Sequence, residues 1–152
     1  MAEFPAWGME LTHILVVQDL ARSRDWYRDV LSATLTGEYG GTSAVFNFQG
    51  AWLLLVTPGG ETADKPGTEF VPPADPSRIS HSVTIRVPDC RAAYNLLRSR
   101  GAKFLTPPHE SAWEVRCFFR DPDGHLFEIS ERKGITGPSF PASLLQCKFS
   151  SS

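Results

Sequence analysis

The chain has 152 residues and a net charge of −2, with 41% hydrophobic and 21% charged residues. That length makes one domain with room for a real core. A near-neutral balance without a Lys/Arg block gives a nucleic-acid backbone nothing to hold, and no apolar run reaches the ~20 residues of a membrane span. No basic-then-apolar leader opens the chain. Cys90, Cys117 and Cys147 are odd in number and lack paired spacing, which fits a reducing, cytoplasmic setting better than a disulfide scaffold.

In chain order, Leu11-Thr12-His13-Ile14-Leu15-Val16-Val17 reads as an apolar strand. A helix follows over about 20–31, with Leu20, Tyr27, Val30 and Leu31 near one stripe. Strand-like runs come at 33–37, 43–48 and 51–56, punctuated by Gly40-Gly41 and Gln49-Gly50. The stretch 58–78 is rich in Gly, Pro and acidic residues and reads as a linker or a loop over the site.

The order then repeats. Ile79-Ser80-His81-Ser82-Val83-Thr84-Ile85 is a strand, and Asp89 is an N-cap for a helix over about 90–100 that Gly101 stops. Strands follow at 103–106, 114–120 and 125–131, the last two joined by the turn Asp121-Pro122-Asp123-Gly124. His13 and His81 then occupy matching places in the two halves, and Tyr27 and Tyr94 nearly matching ones. A repeat of this length points to a duplicated unit. The fold expected is α+β: two βαβββ modules, about 10–57 and 79–132, each sheet curved around a shared metal and substrate cavity. Residues 133–152 form a tail that is loose or packs on a partner subunit.

His13, His81 and Glu128 are the candidate metal ligands. Two imidazoles and one carboxylate are the ligand set of a facial triad, and a Glu in an apolar strand is costly unless something pairs with it. Alternation along each strand allows all three to share the cavity side. Alternation also puts Arg116 toward the cavity, where it pairs with a substrate anion or forms a surface salt bridge. Trp52, Leu54 and Phe118 are candidates for an apolar pocket wall, although core packing accounts equally for any one alone.

The paired modules, the Trp26-Tyr27-Arg28-Asp29-Val30-Leu31 stretch and Phe119-Arg120-Asp121-Pro122-Asp123-Gly124-His125-Leu126-Phe127-Glu128 together resemble the vicinal oxygen chelate superfamily. That group includes glyoxalases, bleomycin-binding proteins, fosfomycin resistance proteins and extradiol dioxygenases. The resemblance implies metal ligands at His13, His81 and Glu128. It places Leu54 where a glyoxalase I would carry a fourth, acidic ligand, and it offers His109 as an acid/base residue. It further implies a homodimer and a divalent ion, Fe(II), Mn(II), Zn(II), Ni(II) or Co(II). The activity it implies is metal-dependent dioxygenase, lyase or isomerase chemistry on a small substrate with adjacent oxygens. The alternative is a small-molecule binding or antibiotic-resistance protein, metal-free or metal-assisted.

Overall fold

A computed structural model describes residues 3–134; the expected tail falls almost wholly outside them. Module one runs β1 (Thr12–Val16), α1 (Leu20–Asp29), β2 (Thr34–Tyr39), β3 (Ser43–Phe48) and β4 (Ala51–Val56). Module two runs β5 (Ser82–Arg86), α2 (Cys90–Ser99), β6 (Lys103–Phe104), β7 (His109–Glu110), β8 (Glu114–Arg120) and β9 (Leu126–Arg132). The sheets have strand orders β1-β4-β3-β2 and β5-β9-β8-β6, with the short β7 added beside β8. In each module the first strand lies parallel to the last, as a helical crossover between them requires. The α+β fold of two βαβββ modules is therefore present, with β7 as an addition.

Local chemistry sets these elements. Asp19 and Asp89 cap the two helices by accepting from the backbone N–H of Arg22 and Ala92. Gly101, at φ +100°, ends α2 in the left-handed region. Gly124, at φ +94°, closes the β8–β9 turn, where the Asp121 carboxylate accepts from the N–H groups of Asp123 and His125.

The repeat length differs from the expected one. β1 begins at Thr12 and β5 at Ser82, seventy residues on; α1 begins at Leu20 and α2 at Cys90, again seventy. The two histidines are 68 apart. By the strands, His13 matches Val83, and His81 matches Leu11. Likewise Tyr27 matches Leu97, the inward residue of α2, and not Tyr94.

A single core joins the modules. Leu15, Val17, Phe46, Leu53 and Leu55 from module one meet Val115, Cys117, Phe119, Phe127 and Ile129 from module two. Tyr27 and Trp26 of α1 reach across to it, with Tyr27 to Phe127 at 6.0 Å and Trp26 to Phe119 at 6.2 Å between ring centroids. Polar bonds fix the approach. The Tyr27 hydroxyl donates to Asp121 at 2.8 Å in the core, while Asp123 accepts from the Gln18 backbone N–H at 2.8 Å and from the Ser23 hydroxyl at 3.2 Å.

Burial and the adjoining carboxylates push the Tyr27 phenol well above its ordinary pKa, so it stays a donor at any working pH. Tyr27→Phe leaves the buried Asp121 short of one partner. The expected loss is about 1–3 kcal/mol of unfolding free energy, read from urea denaturation.

Candidate functional site

Strand parity decides which side chains meet. In β1 and β4, His13 pairs with Leu53 and Leu15 with Leu55, on the face that forms the core. Thr12, Ile14, Trp52 and Leu54 face the other way, and Ile14 is 45% exposed. In module two, Val83 pairs with Phe127 and Ile85 with Ile129 on the core face. Ser82, Thr84 and Glu128 lie on the outer face, with Thr84 and Phe118 as the cross-strand neighbours of Glu128.

The expectation that all three candidate ligands share one face therefore fails within this chain. His13 is on the core-side parity of its sheet and Glu128 on the outer parity of the other. His81 lies one residue before β5, in line with the core-facing Val83, and not mid-strand. Among the described residues, no three His, Cys, Asp or Glu groups gather in a metal-holding cluster. The register does support one comparison: Leu54, opposite Ile14, occupies in module one the place that Glu128, opposite Thr84, has in module two.

The fold does bring the two histidines together. Their Nε2 atoms are 2.9 Å apart, and the rings stack with centroids 4.3 Å apart and planes 17° apart. With only a proton between them, one Nε2 donates and the other accepts. Partial burial, then the neighbouring His81 and His125, lower the pKa of His13, so its ring is held neutral.

A shared divalent ion fits this pair in distance, since two imidazole nitrogens at ~2.0–2.1 Å from one ion and at right angles stand roughly 2.9 Å apart. It does not fit in orientation as the rings stand. Lone pairs confined to stacked, near-parallel planes do not converge on a point, so one ring must turn. Glu128 does not complete the set in this chain.

The histidine pair opens into a cleft of about 510 Å³ between the modules, within the range of small-molecule sites. His13, His81, His125, Arg78, Ile14 and Val71 contribute to its walls. His125 is half-buried, and its Nε2 lies 2.7 Å from the Val16 carbonyl oxygen. The register makes this legible afterwards: Ser82 pairs with Leu126, so the residues before them, His81 and His125, are neighbours.

The remaining site expectations fall elsewhere. His109 is exposed in β7, opposite Arg116 in β8. Arg116 pairs with Glu114 at 3.1 Å on the outer face of sheet two. There Glu114 also accepts from the buried Ser130 hydroxyl at 2.6 Å and meets Arg86 at 3.3 Å. The Ser130 bond and the arginines hold the Glu114 carboxyl below its usual range. Trp52, Leu54 and Phe118 lie on outer sheet faces, away from the walls of the histidine cleft.

The model of the Glyoxalase/Bleomycin resistance protein/Dioxygenase superfamily matches residues 10–129. The chain belongs to that superfamily. Among its relatives, the metallothiol transferase FosB of Staphylococcus haemolyticus is 31% identical over 114 residues, 74% of this chain and 76% of that protein. A solved glyoxalase/bleomycin resistance protein/dioxygenase from Nocardioides is 26% identical, with a TM-score of 0.62 over 88% of this chain and 89% of its own. A structure of the same description from Alicyclobacillus acidocaldarius shares the fold at 19% identity, with a TM-score of 0.63 over 86% and 96%. No helix among the described residues is long and apolar enough to cross a membrane.

One glycine sets how closely the segment between the modules packs on the β8–β9 turn. A Cβ on Gly124 would stand 2.9 Å from Pro76 Cγ and 3.0 Å from its Cβ, at a φ of +94°. Arg120 ties the same segment down by donating to the carbonyl oxygens of Pro76 and Gly124. Gly124→Ala is expected to cost about 1–3 kcal/mol of stability in thermal or urea unfolding. It should also increase proteolytic nicking within 71–80.

Proposed function

We propose that this protein is a small-molecule-binding member of the superfamily that works at the His13/His81 cleft without a His-His-Glu metal triad. The observation that carries this reading is the split of the triad. Glu128 sits on the outer face of sheet two, while the two imidazoles meet at the mouth of an open, partly apolar cleft between the modules. A ligand there would meet imidazole nitrogens able to hydrogen-bond to it, with Ile14, Val71 and Leu126 for its apolar part. Apolar walls with few polar groups are what bind and orient a small molecule. Such a protein sequesters a drug or metabolite. Homodimerisation belongs to the same reading, because among the described residues no helix packs on the outer faces of the two sheets.

A metal-dependent enzyme is the second reading, favoured by the close Nε2 pair and by the metallothiol transferase relative. His13 and His81 would hold the ion. When bound, a divalent ion would polarise adjacent substrate oxygens and lower the pKa of a bound hydroxyl. Dioxygenase, lyase and isomerase outcomes all belong to this reading.

Two measurements separate the readings. Fluorescence of 1-anilinonaphthalene-8-sulfonate should report cleft binding that persists in chelator-treated protein. Ile79→Asp, which places a charge on the apolar rim, should remove it. Titration calorimetry with Zn(II) and Mn(II) should show Glu128→Gln taking up metal as wild type does, with any uptake lost in His13→Ala. Equal loss of stoichiometric uptake, by about tenfold or more, in Glu128→Gln and His13→Ala would restore the three-ligand enzyme.

A further inference from the structure

The cleft carries a cation that the sequence did not single out. Arg78 lines it from the segment between the modules. Among the described residues its guanidinium makes no hydrogen bond or ion pair; only its backbone N–H is engaged, with the Asp75 carbonyl oxygen. The nearby carboxylate of Asp75 is occupied, accepting from the backbone N–H and the hydroxyl of Ser77. Among the described residues no Asp or Glu lines the cleft. Arg86 and Arg116, by contrast, are already committed to Glu114 on another face.

Arg78 is exposed on a cleft with no acid among its described lining residues, beside the imidazoles, so its guanidinium fork meets only solvent and is open to an acceptor on a ligand. The neighbouring surface limits the ligand's other half. Ile14, Val71 and Ile79 are exposed apolar side chains on the rim, beside Pro72 and Pro73. One guanidinium matches one negative charge, and neither α1 nor α2 begins on the cleft to add a row of N–H donors for a phosphate.

We propose that the cleft selects a small carboxylic acid with an apolar body. Its carboxylate pairs with Arg78, its apolar part packs on Ile14, Val71 and Ile79, and the histidine pair meets its inner end. This rests on the reading that the histidine cleft is the working site, and it holds with or without a bound ion.

The test is displacement of 1-anilinonaphthalene-8-sulfonate by benzoate and hexanoate against their neutral counterparts, benzamide and hexanamide, in chelator-treated protein. Wild type should favour each acid over its amide by about tenfold, the usual worth of a hydrogen bond to a charged group. Arg78→Gln should lose that preference while the amides keep their affinity. Arg116→Gln, on the outer face, should retain it. Equal binding of acid and amide in wild type, retained preference in Arg78→Gln, or no displacement by any of the four compounds would each overturn the assignment. Its failure is distinguishable from failure of the cleft reading. If the amides displace the dye in wild type and Ile79→Asp prevents dye binding, the cleft stands and only the carboxylate assignment falls. If the dye binds equally well to Ile79→Asp, the cleft reading falls as well.

Discussion

The Asp-Pro-Asp-Gly turn between β8 and β9 holds the two modules in their relative positions. Asp121 takes the Tyr27 hydroxyl in the core, Asp123 takes the Gln18 N–H and the Ser23 hydroxyl, and His125 reaches the Val16 carbonyl oxygen. Each of these bonds joins module two to the end of β1 or to α1. The aromatic core would tolerate sliding, because apolar contact has no direction. Directional bonds to a buried carboxylate do not, since a lost partner is expensive there. The cleft exists because this turn fixes where β1 ends relative to the start of β5.

Parity within the strands determines what the cleft contains. A side chain changes face with each residue along a strand. Glu128 lies one residue out of phase with Phe127 and Ile129, which are buried in the core. His81 lies two residues before Val83, on the same parity as the core residues. The same alternation that makes β9 a good half-buried strand therefore keeps its carboxylate away from the imidazoles. What remains is a pair of histidines that satisfy one another, with partial burial and the neighbouring imidazoles holding the His13 pKa down.

The distribution of arginines follows the same geometry. On the outer face of sheet two, Arg86 and Arg116 converge on Glu114, which the Ser130 hydroxyl also supports. That network is internally satisfied and partly solvent-screened, so it adds little to stability. Arg78 comes from a loop pinned by Arg120 and packed on Gly124. It reaches the cleft because the linker crosses there, a property of the path of the chain and not of any strand pattern.

The sequence by itself determined the two βαβββ modules, the helix caps at Asp19 and Asp89, the stop at Gly101 and the turn at Asp121–Gly124. Local chemistry governs all of these: hydrophobic period, capping carboxylates and glycines at positive φ. The family resemblance pointed to Leu54 as the place of a fourth ligand, and the strand register of the structure makes it the counterpart of Glu128. Only the tertiary structure decided the true repeat of seventy residues, which makes His13 and His81 neighbours without making them equivalent. It also moved His125 and Arg78 into the cleft and sent Arg116, His109 and Phe118 elsewhere. Those outcomes depend on where one module's strands end against the other's, and on a one-residue step that turns a side chain to the opposite face. Neither is written in the spacing of residues along a single strand.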